Sequence, residues 1–416
     1  MTDHGQNLDR RRFLKLTSRG VLAAGAVPLL GSILAACGDD TAATTTTRAA
    51  TTTTAGATAT TAAAPTTTTA APTTSTTTFE EMRQAALEAE TGDLEVHAFA
   101  GTEAPEIWDY GYGDAYGTPV FTPIAGSFAS LAKLQADPGG IDIWQACFAV
   151  FATAVDEGIV QPWDTSLIPN YVDLNPQLVD ATQRNGEQFA IPLLYGLALV
   201  TYRTDLTVPA PNSYGALFDE AYAGKVSWPD AWGAEAYIVA GKLAENNVVD
   251  PLNPTDEEIE RLHSYLIEKI RVIPRTLYAD IPTNQTDLAS GSIWVTYAAP
   301  TQWIELQKQG VDVSVVGAPI EGLIGFSCGY FLLADSDQYY HAHEWVNQAV
   351  SKGAAEATTN TRNFGNSNLT ATDVDPLLAN VFGLGDPSVL DGVTLLDKIG
   401  PSDVLNERWA EVKASA

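Results

Sequence analysis

The feature that most constrains the fold is an alternation of short apolar runs with amphipathic stretches, running from residue 92 to the C-terminus. Period-2 or unbroken apolar runs predict strands at Leu94–Phe99, Ile141–Trp144, Leu197–Tyr202, Gly224–Trp228, Ile293–Tyr297, Val313–Val316 and Cys328–Leu333. Helical spacing falls between them, at Val150–Glu157, Glu235–Glu245, Thr255–Lys269, Thr301–Lys308, His341–Ser351 and Val404–Lys413. Thr255 followed by Asp256-Glu257-Glu258 reads as an N-cap with acids at the positive end of a helix dipole. Strands alternating with helices predict an α/β fold with a largely parallel or mixed sheet. With 45% hydrophobic and only 18% charged residues in 416, there is apolar material for two domains or one large bilobal body.

Ahead of this body the chain changes character. Residues 41–78 are almost wholly Thr and Ala, broken by Pro65 and Pro72, with no large apolar side chain. Such a segment cannot bury enough surface to offset ordering entropy and is expected to be a disordered tether. A helical lead-in, Phe79–Ala89, follows it. At the N-terminus, Arg10-Arg11-Arg12-Phe13-Leu14-Lys15 resembles a twin-arginine export signal, and Val21–Ala36 is an apolar stretch too short to span a bilayer comfortably. Leu34-Ala35-Ala36-Cys37-Gly38 resembles a lipoprotein lipobox. That resemblance implies a signal peptide over 1–36, acylation of Cys37 as a membrane anchor, and a tether over 37–78; the alternative is an uncleaved N-terminal anchor. Either places the body outside the cytoplasm.

The net charge is −29. Like charge repels phosphate, so nucleic acid is excluded as a partner. With three Cys and five His, and no Cys-x-x-Cys or His-x-x-x-His pattern, no structural metal or cofactor is expected. There is no phosphate-cradling Gly-x-x-x-x-Gly-Lys loop and no Gly-x-Ser-x-Gly elbow. His341-Ala342-His343 opens an amphipathic stretch and reads as a solvated face. Enzymatic activity is therefore not expected, although paired acids alone do not separate this chain from a glycoside hydrolase.

Four segments, in order, resemble one family. Gly140-Ile141-Asp142-Ile143-Trp144 with Glu157-Gly158-Ile159-Val160-Gln161-Pro162-Trp163-Asp164 resembles a strand–helix–turn of bacterial solute-binding proteins. Phe189-Ala190-Ile191-Pro192, Tyr195-Gly196 and Tyr202-Arg203-Thr204-Asp205 resemble that family's crossover. Ser213-Tyr214-Gly215-Ala216-Leu217-Phe218-Asp219 with Tyr222-Ala223-Gly224-Lys225-Val226, and then Leu288-Ala289-Ser290-Gly291-Ser292-Ile293-Trp294-Val295, resemble two further segments of it. The subgroup most similar is the spermidine/putrescine-binding components of ABC importers. The resemblance implies a type II periplasmic-binding fold, with lobe one over 92–198 and 328–378, lobe two over 202–323 and 380–416, and a ligand cleft between them. It also implies a small organic, cationic, polyamine-like solute and an ABC permease as partners. A sensory or scaffold protein of the same fold is the alternative.

Polyamine binders of this family hold ammonium groups with carboxylates and clamp methylenes between aromatic rings, since a desolvated cation needs paired acids or π faces. On this resemblance Phe99 stands at a pocket Trp, and Cys147-Phe148-Ala149 at a Ser-x-Tyr. Asp230 and Glu235, flanking Trp232, stand near an Asp-x-x-Glu pair, Asp280 at a Ser-Asp segment, and Tyr297 near a pocket Trp. The second hinge, around Phe326, puts Gly325 and Ser327 where the family has an aromatic and an Asp, so an anchoring acid is missing there. Each aromatic has core packing as its alternative role, Asp230 and Glu235 have helix capping, and Asp280 has a solvated loop. Cys147 and Cys328 are the two cysteines left beside Cys37; in an oxidising compartment they are either a disulfide or two buried small side chains.

Overall fold

A computed structural model describes residues 79–99, 112–124 and 126–415. Arg10, Arg11, Cys37 and the Thr/Ala segment lie outside these residues. Phe79–Ala89 (α1) belongs to a unit separate from the body that starts at Glu90, and carries Glu80 and Glu81 in its first turn.

Among the described residues the body is organised on a twelve-stranded sheet. Its main strands are β1 (Glu95–Phe99), β2 (Val120–Ile124), β3 (Ile143–Cys147), β4 (Ala190–Arg203), β5 (Val226–Pro229), β6 (Pro274–Tyr278), β7 (Val295–Ala298), β8 (Val313–Val315), β9 (Ile324–Leu333) and β10 (Thr394–Leu395); the other two are the short pairs Val160–Gln161 on β9 and Gly365–Asn366 on β4. Their order across the sheet is β2-β1-β3-β9-β4-β7-β5-β6, with β8 added to β4 and β10 to β9. The outer strands pair in parallel, β1 with β2 and β3 on one side, β5 with β7 and β6 on the other. Between them β9 runs antiparallel to β3, β4 antiparallel to β7 and β8, and the two antiparallel to each other, while β10 pairs with β9 in parallel. The result is a mixed sheet of two α/β halves joined by two long crossing strands.

β4 shows why the halves are continuous. Its fourteen residues, AIPLLYGLALVTYR, are buried everywhere except Arg203. A strand covered on both faces reads as an unbroken apolar run, without alternation. Residues 190–198 pair with β9, and 199–203 pair with β7 and β8. The predicted strand Leu197–Tyr202 is thus only the far part of β4; Pro192 and Gly196 mark a bulge opposite Cys328/Gly329 and a close approach, not a strand end. Similarly, the strand expected from Cys328 begins at Ile324. Three of these strands, β2, β6 and the two-residue β10, are not among those expected. β2 and β6 carry Pro123 and Pro274, and both are edge strands, where a missing N–H is tolerated.

Helices cover both halves. In the first half α2 (Ser127–Ala136) and α3 (Phe151–Asp156) flank β3. In the second, α4 (Gly233–Lys242) is buried around most of its circumference. α5 (Asp256–Ile270) begins with a complete capping box between Thr255 and Glu258, and buries Ile259, Leu262, Leu266 and Ile270 at helical spacing. α6 (Ile281–Ser290) and α7 (Pro300–Lys308) bracket β7. After β9 come α8 (Tyr339–Ala349), α9 (Lys352–Arg362) and α10 (Pro376–Phe382). The last helix, α11 (Ser402–Ala414), packs on α4 and α5. That contact is close: a Cβ on Gly233 would lie 2.4 Å from Cβ of Trp409.

One side chain corrects the sequence reading. His343 is not on a solvated face but is 1% exposed. Its Nδ1–H donates to the Tyr339 carbonyl at 2.7 Å, and its Nε2 accepts from the Asp164 N–H at 2.9 Å, a pattern that fits the neutral ring alone. Trp163 and Tyr339 pack on it with ring centroids at 4.8 and 4.3 Å. Burial pulls its pKa down to about 4, against smaller upward pulls from the Tyr339 carbonyl and Asp164.

Candidate ligand-binding site

The C-terminal ends of β1 and β3 and the middles of β4 and β9 face a cavity of about 120 Å³, closed from the other side by the N-terminus of α4. Crevices at the carboxyl ends of strands are where open α/β sheets bind ligands. The volume is comparable to the ~150 Å³ that holds a single benzene ring, which sets the scale of a guest. Phe99, Phe128, Trp232, Phe326 and Phe364 give the wall its aromatic character, with Leu194, Ala198, Leu396 and Ile399 between them.

The strands fix these walls. Gln145 is fully buried and accepts the Phe99 N–H at 3.0 Å, tying the end of β1 to β3. Ser127 Oγ accepts the Cys147 N–H at 3.0 Å, seating α2 at the end of β3. Cys147 and Cys328 lie directly opposite each other on β3 and β9 and are joined by a disulfide that forms part of the cavity wall. The Phe326 ring has room only because residue 196 is glycine: a Cβ there would sit 2.4 Å from Phe326 Cζ. Phe364 then meets Phe326 edge-on at 6.0 Å.

Of the side chains singled out in the sequence, Phe99, Cys147, Trp232, Glu235 and Phe326 line this cavity. Glu235, the third residue of α4, lies in its first turn, where a helix favours an acid. It lines the cavity, and burial raises its pKa to about 7. The others lie elsewhere. Phe148 is fully buried and packs edge-on against Phe331 at 5.8 Å. Tyr297 lies one layer below, stacked on Trp228 at 4.4 Å and meeting Trp232 edge-on at 5.7 Å. Asp230 pairs with Lys413 at 3.1 Å. Asp280 is exposed and caps α6, accepting the Thr283 N–H at 2.8 Å and its hydroxyl at 2.9 Å.

Ser327 is buried and does not line the cavity, but it brings in an acid that sequence comparison finds missing at this hinge. Its backbone N–H donates to Asp397 Oδ1 at 3.1 Å, and its hydroxyl to Oδ2. Asp397 lines the cavity, as do Arg362 and Asn406. These residues come from beyond β9, so no local motif marks them. Among the described residues no group of three or more His, Cys, Asp or Glu could hold a metal ion. Nor is any described helix long and apolar enough to cross a membrane.

The whole arrangement matches known proteins. Over 78% of this chain and 99% of its own, PotD, the spermidine/putrescine ABC transporter substrate-binding protein of Streptococcus pneumoniae, superposes with a TM-score of 0.64 at 14% identity. The Atu4243–GABA receptor superposes with a TM-score of 0.65 at 19% identity, covering 77% of this chain and 98% of that one. MotA of Agrobacterium tumefaciens B6, solved with glucopine, gives 0.63 at 11% identity over 77% and 100%. These likenesses establish a two-lobed, periplasmic-binding-protein-like α/β fold. The family profile for bacterial extracellular solute-binding proteins matches residues 129–381, more than half of the sequence, and the chain belongs to that family.

Proposed function

We propose that this chain is the substrate-binding lipoprotein of an ABC importer, capturing a small organic amine outside the membrane and delivering it to a permease. Cys37 would carry the lipid anchor, residues 37–78 the tether, and residues 1–36 the export signal headed by Arg10 and Arg11. The lobes would be 92–198 with 328–378, and 202–323 with 380–416. The observation that carries this reading is the cavity between the halves: aromatic walls, with the Glu235 and Asp397 carboxylates among them. Carboxylates and π faces in an apolar cleft are what a desolvated ammonium requires. The solved relatives named for spermidine/putrescine and for GABA support an amine as the guest. No bond is made or broken; affinity comes from stacking and charge pairing, and release from relative movement of the lobes.

A melting-temperature screen of amines, betaines, amino acids and sugars tests this first. A true solute at 100 times its dissociation constant adds about 2.7 kcal/mol to stability. Calorimetric titration of the best hit against Glu235→Gln and Asp397→Asn should then show affinity falling at least tenfold in each. Binding that is unchanged in both variants refutes the amine reading, and a screen in which only sugars register replaces it.

A further inference from the structure

The cavity holds one feature that a purely amine-binding site does not need: an arginine among its lining residues. Arg362 lines the cavity and is 8% exposed. It is the last residue of α9, where the helix dipole favours a cation. The chain then turns through Asn363 in the left-handed conformation (φ 56°) and places Phe364 against Phe326. Gly365–Asn366 next pairs with β4 at Tyr195 and Leu194. That return is tight, since a Cβ on Gly365 would lie 2.4 Å from the Tyr195 ring, so the end of α9 is pinned to the sheet that floors the cavity. Glu235 enters on α4, from the opposite half.

Asp397 already accepts two hydrogen bonds from Ser327, and the cavity wall also holds Glu235 and Arg362, carried on helices of different halves. A guanidinium carries five N–H donors in a planar fork, so it can keep a protein partner on one edge and offer another edge to a guest. That edge matches a carboxylate, which Arg holds in a bidentate, charge-assisted pair. It is also unfavourable to a second ammonium. A guest touching this wall lies within the roughly 8 Å screening length at physiological salt, so it feels the guanidinium field.

We propose that the guest is a zwitterion, a short apolar spacer carrying an ammonium at one end and a carboxylate at the other, with the ammonium at Glu235 and the aromatic rings and the carboxylate on Arg362. This rests on the cavity being the solute site, and it narrows the amine class. The test uses two probes that share a four-carbon chain and differ at one end, 4-aminobutyrate and 1,4-diaminobutane, titrated calorimetrically into the full chain. Wild type should bind 4-aminobutyrate at least tenfold tighter. Arg362→Gln should weaken 4-aminobutyrate tenfold or more while leaving the diamine unchanged or tighter, and Arg362→Lys should fall between. A diamine that binds wild type as tightly as the amino acid overturns the zwitterion while leaving the amine receptor intact. Binding of neither probe also overturns it, and the melting-temperature screen then decides separately whether any solute is received. The comparison of probes on wild type needs no variant to fold.

Discussion

His343 makes a prediction that can be worked through in numbers. Its ring is neutral in the folded protein, with one nitrogen donating to the Tyr339 carbonyl and the other accepting from the Asp164 N–H. In the unfolded chain it titrates near 6.5, whereas in the fold burial holds it at about 4. The folded pKa is depressed, so the contribution is intact above pH 6.5 and is lost as pH falls towards 4, the unfolded chain binding the proton first. Between pH 7.5 and pH 5 this single group should cost roughly 2 kcal/mol of stability, at 1.36 kcal/mol per pH unit once below 6.5. The perturbation is His343→Gln, whose amide does not titrate, followed by urea unfolding at both pH values. Wild type should lose roughly 2 kcal/mol more than the variant on acidification. The comparison is internal to each protein, so a variant that starts less stable still gives the answer. Equal losses in the two proteins would falsify the assignment of a neutral, doubly hydrogen-bonded ring.

Three further outcomes follow from the same physics. Glu235, held at about 7 by burial, is half protonated near neutral pH; an ammonium guest should ionise it, releasing up to about half a proton at pH 7 and giving titration heats that vary with buffer. Affinity should then decline below pH 7, and Glu235→Gln should abolish both effects, so buffer-independent heats in wild type remove Glu235 from the site. Asp280→Ala should cost about 1 kcal/mol through loss of the α6 cap, with no change in affinity; a binding defect at full stability would return Asp280 to the ligand. Gly196→Ala places a methyl 2.4 Å from Phe326 Cζ and drives that ring from its position, so affinity should drop at least tenfold. Unaltered binding in that variant would show that Phe326 does not shape the site.

The amino-acid order announces the architecture and conceals much of the cavity, and particular residues show why. Thr255 with Glu258, or the apolar run through Leu197–Tyr202, are local patterns whose cause lies within a few residues. Pro123 and Pro274 hide two strands because tolerance for proline depends on being at a sheet edge, which is a tertiary fact. Trp232 and Tyr297 are equally aromatic, yet one lines the cavity and the other stacks beneath it on Trp228. Asp397 reaches Ser327 across 70 residues, so position-by-position comparison at the hinge finds a vacancy that the C-terminal segment fills. Arg362 carries no motif; only the pairing of Gly365–Asn366 with β4 discloses where the end of α9 must lie.

The two crossing strands have a mechanical consequence. Many two-part proteins flex at short loops, each a free pivot. Here the chain passes between halves along β4 and β9, laddered to each other through eight residue pairs with a single irregularity at Cys328/Gly329, and a third time between α9 and α11. Relative motion must therefore twist a two-ply ribbon, its stiffness shared along the ladder, with one bulge beside the disulfide. The candidate cavity is built on that same ribbon, so whatever stiffens its surroundings also stiffens the joint.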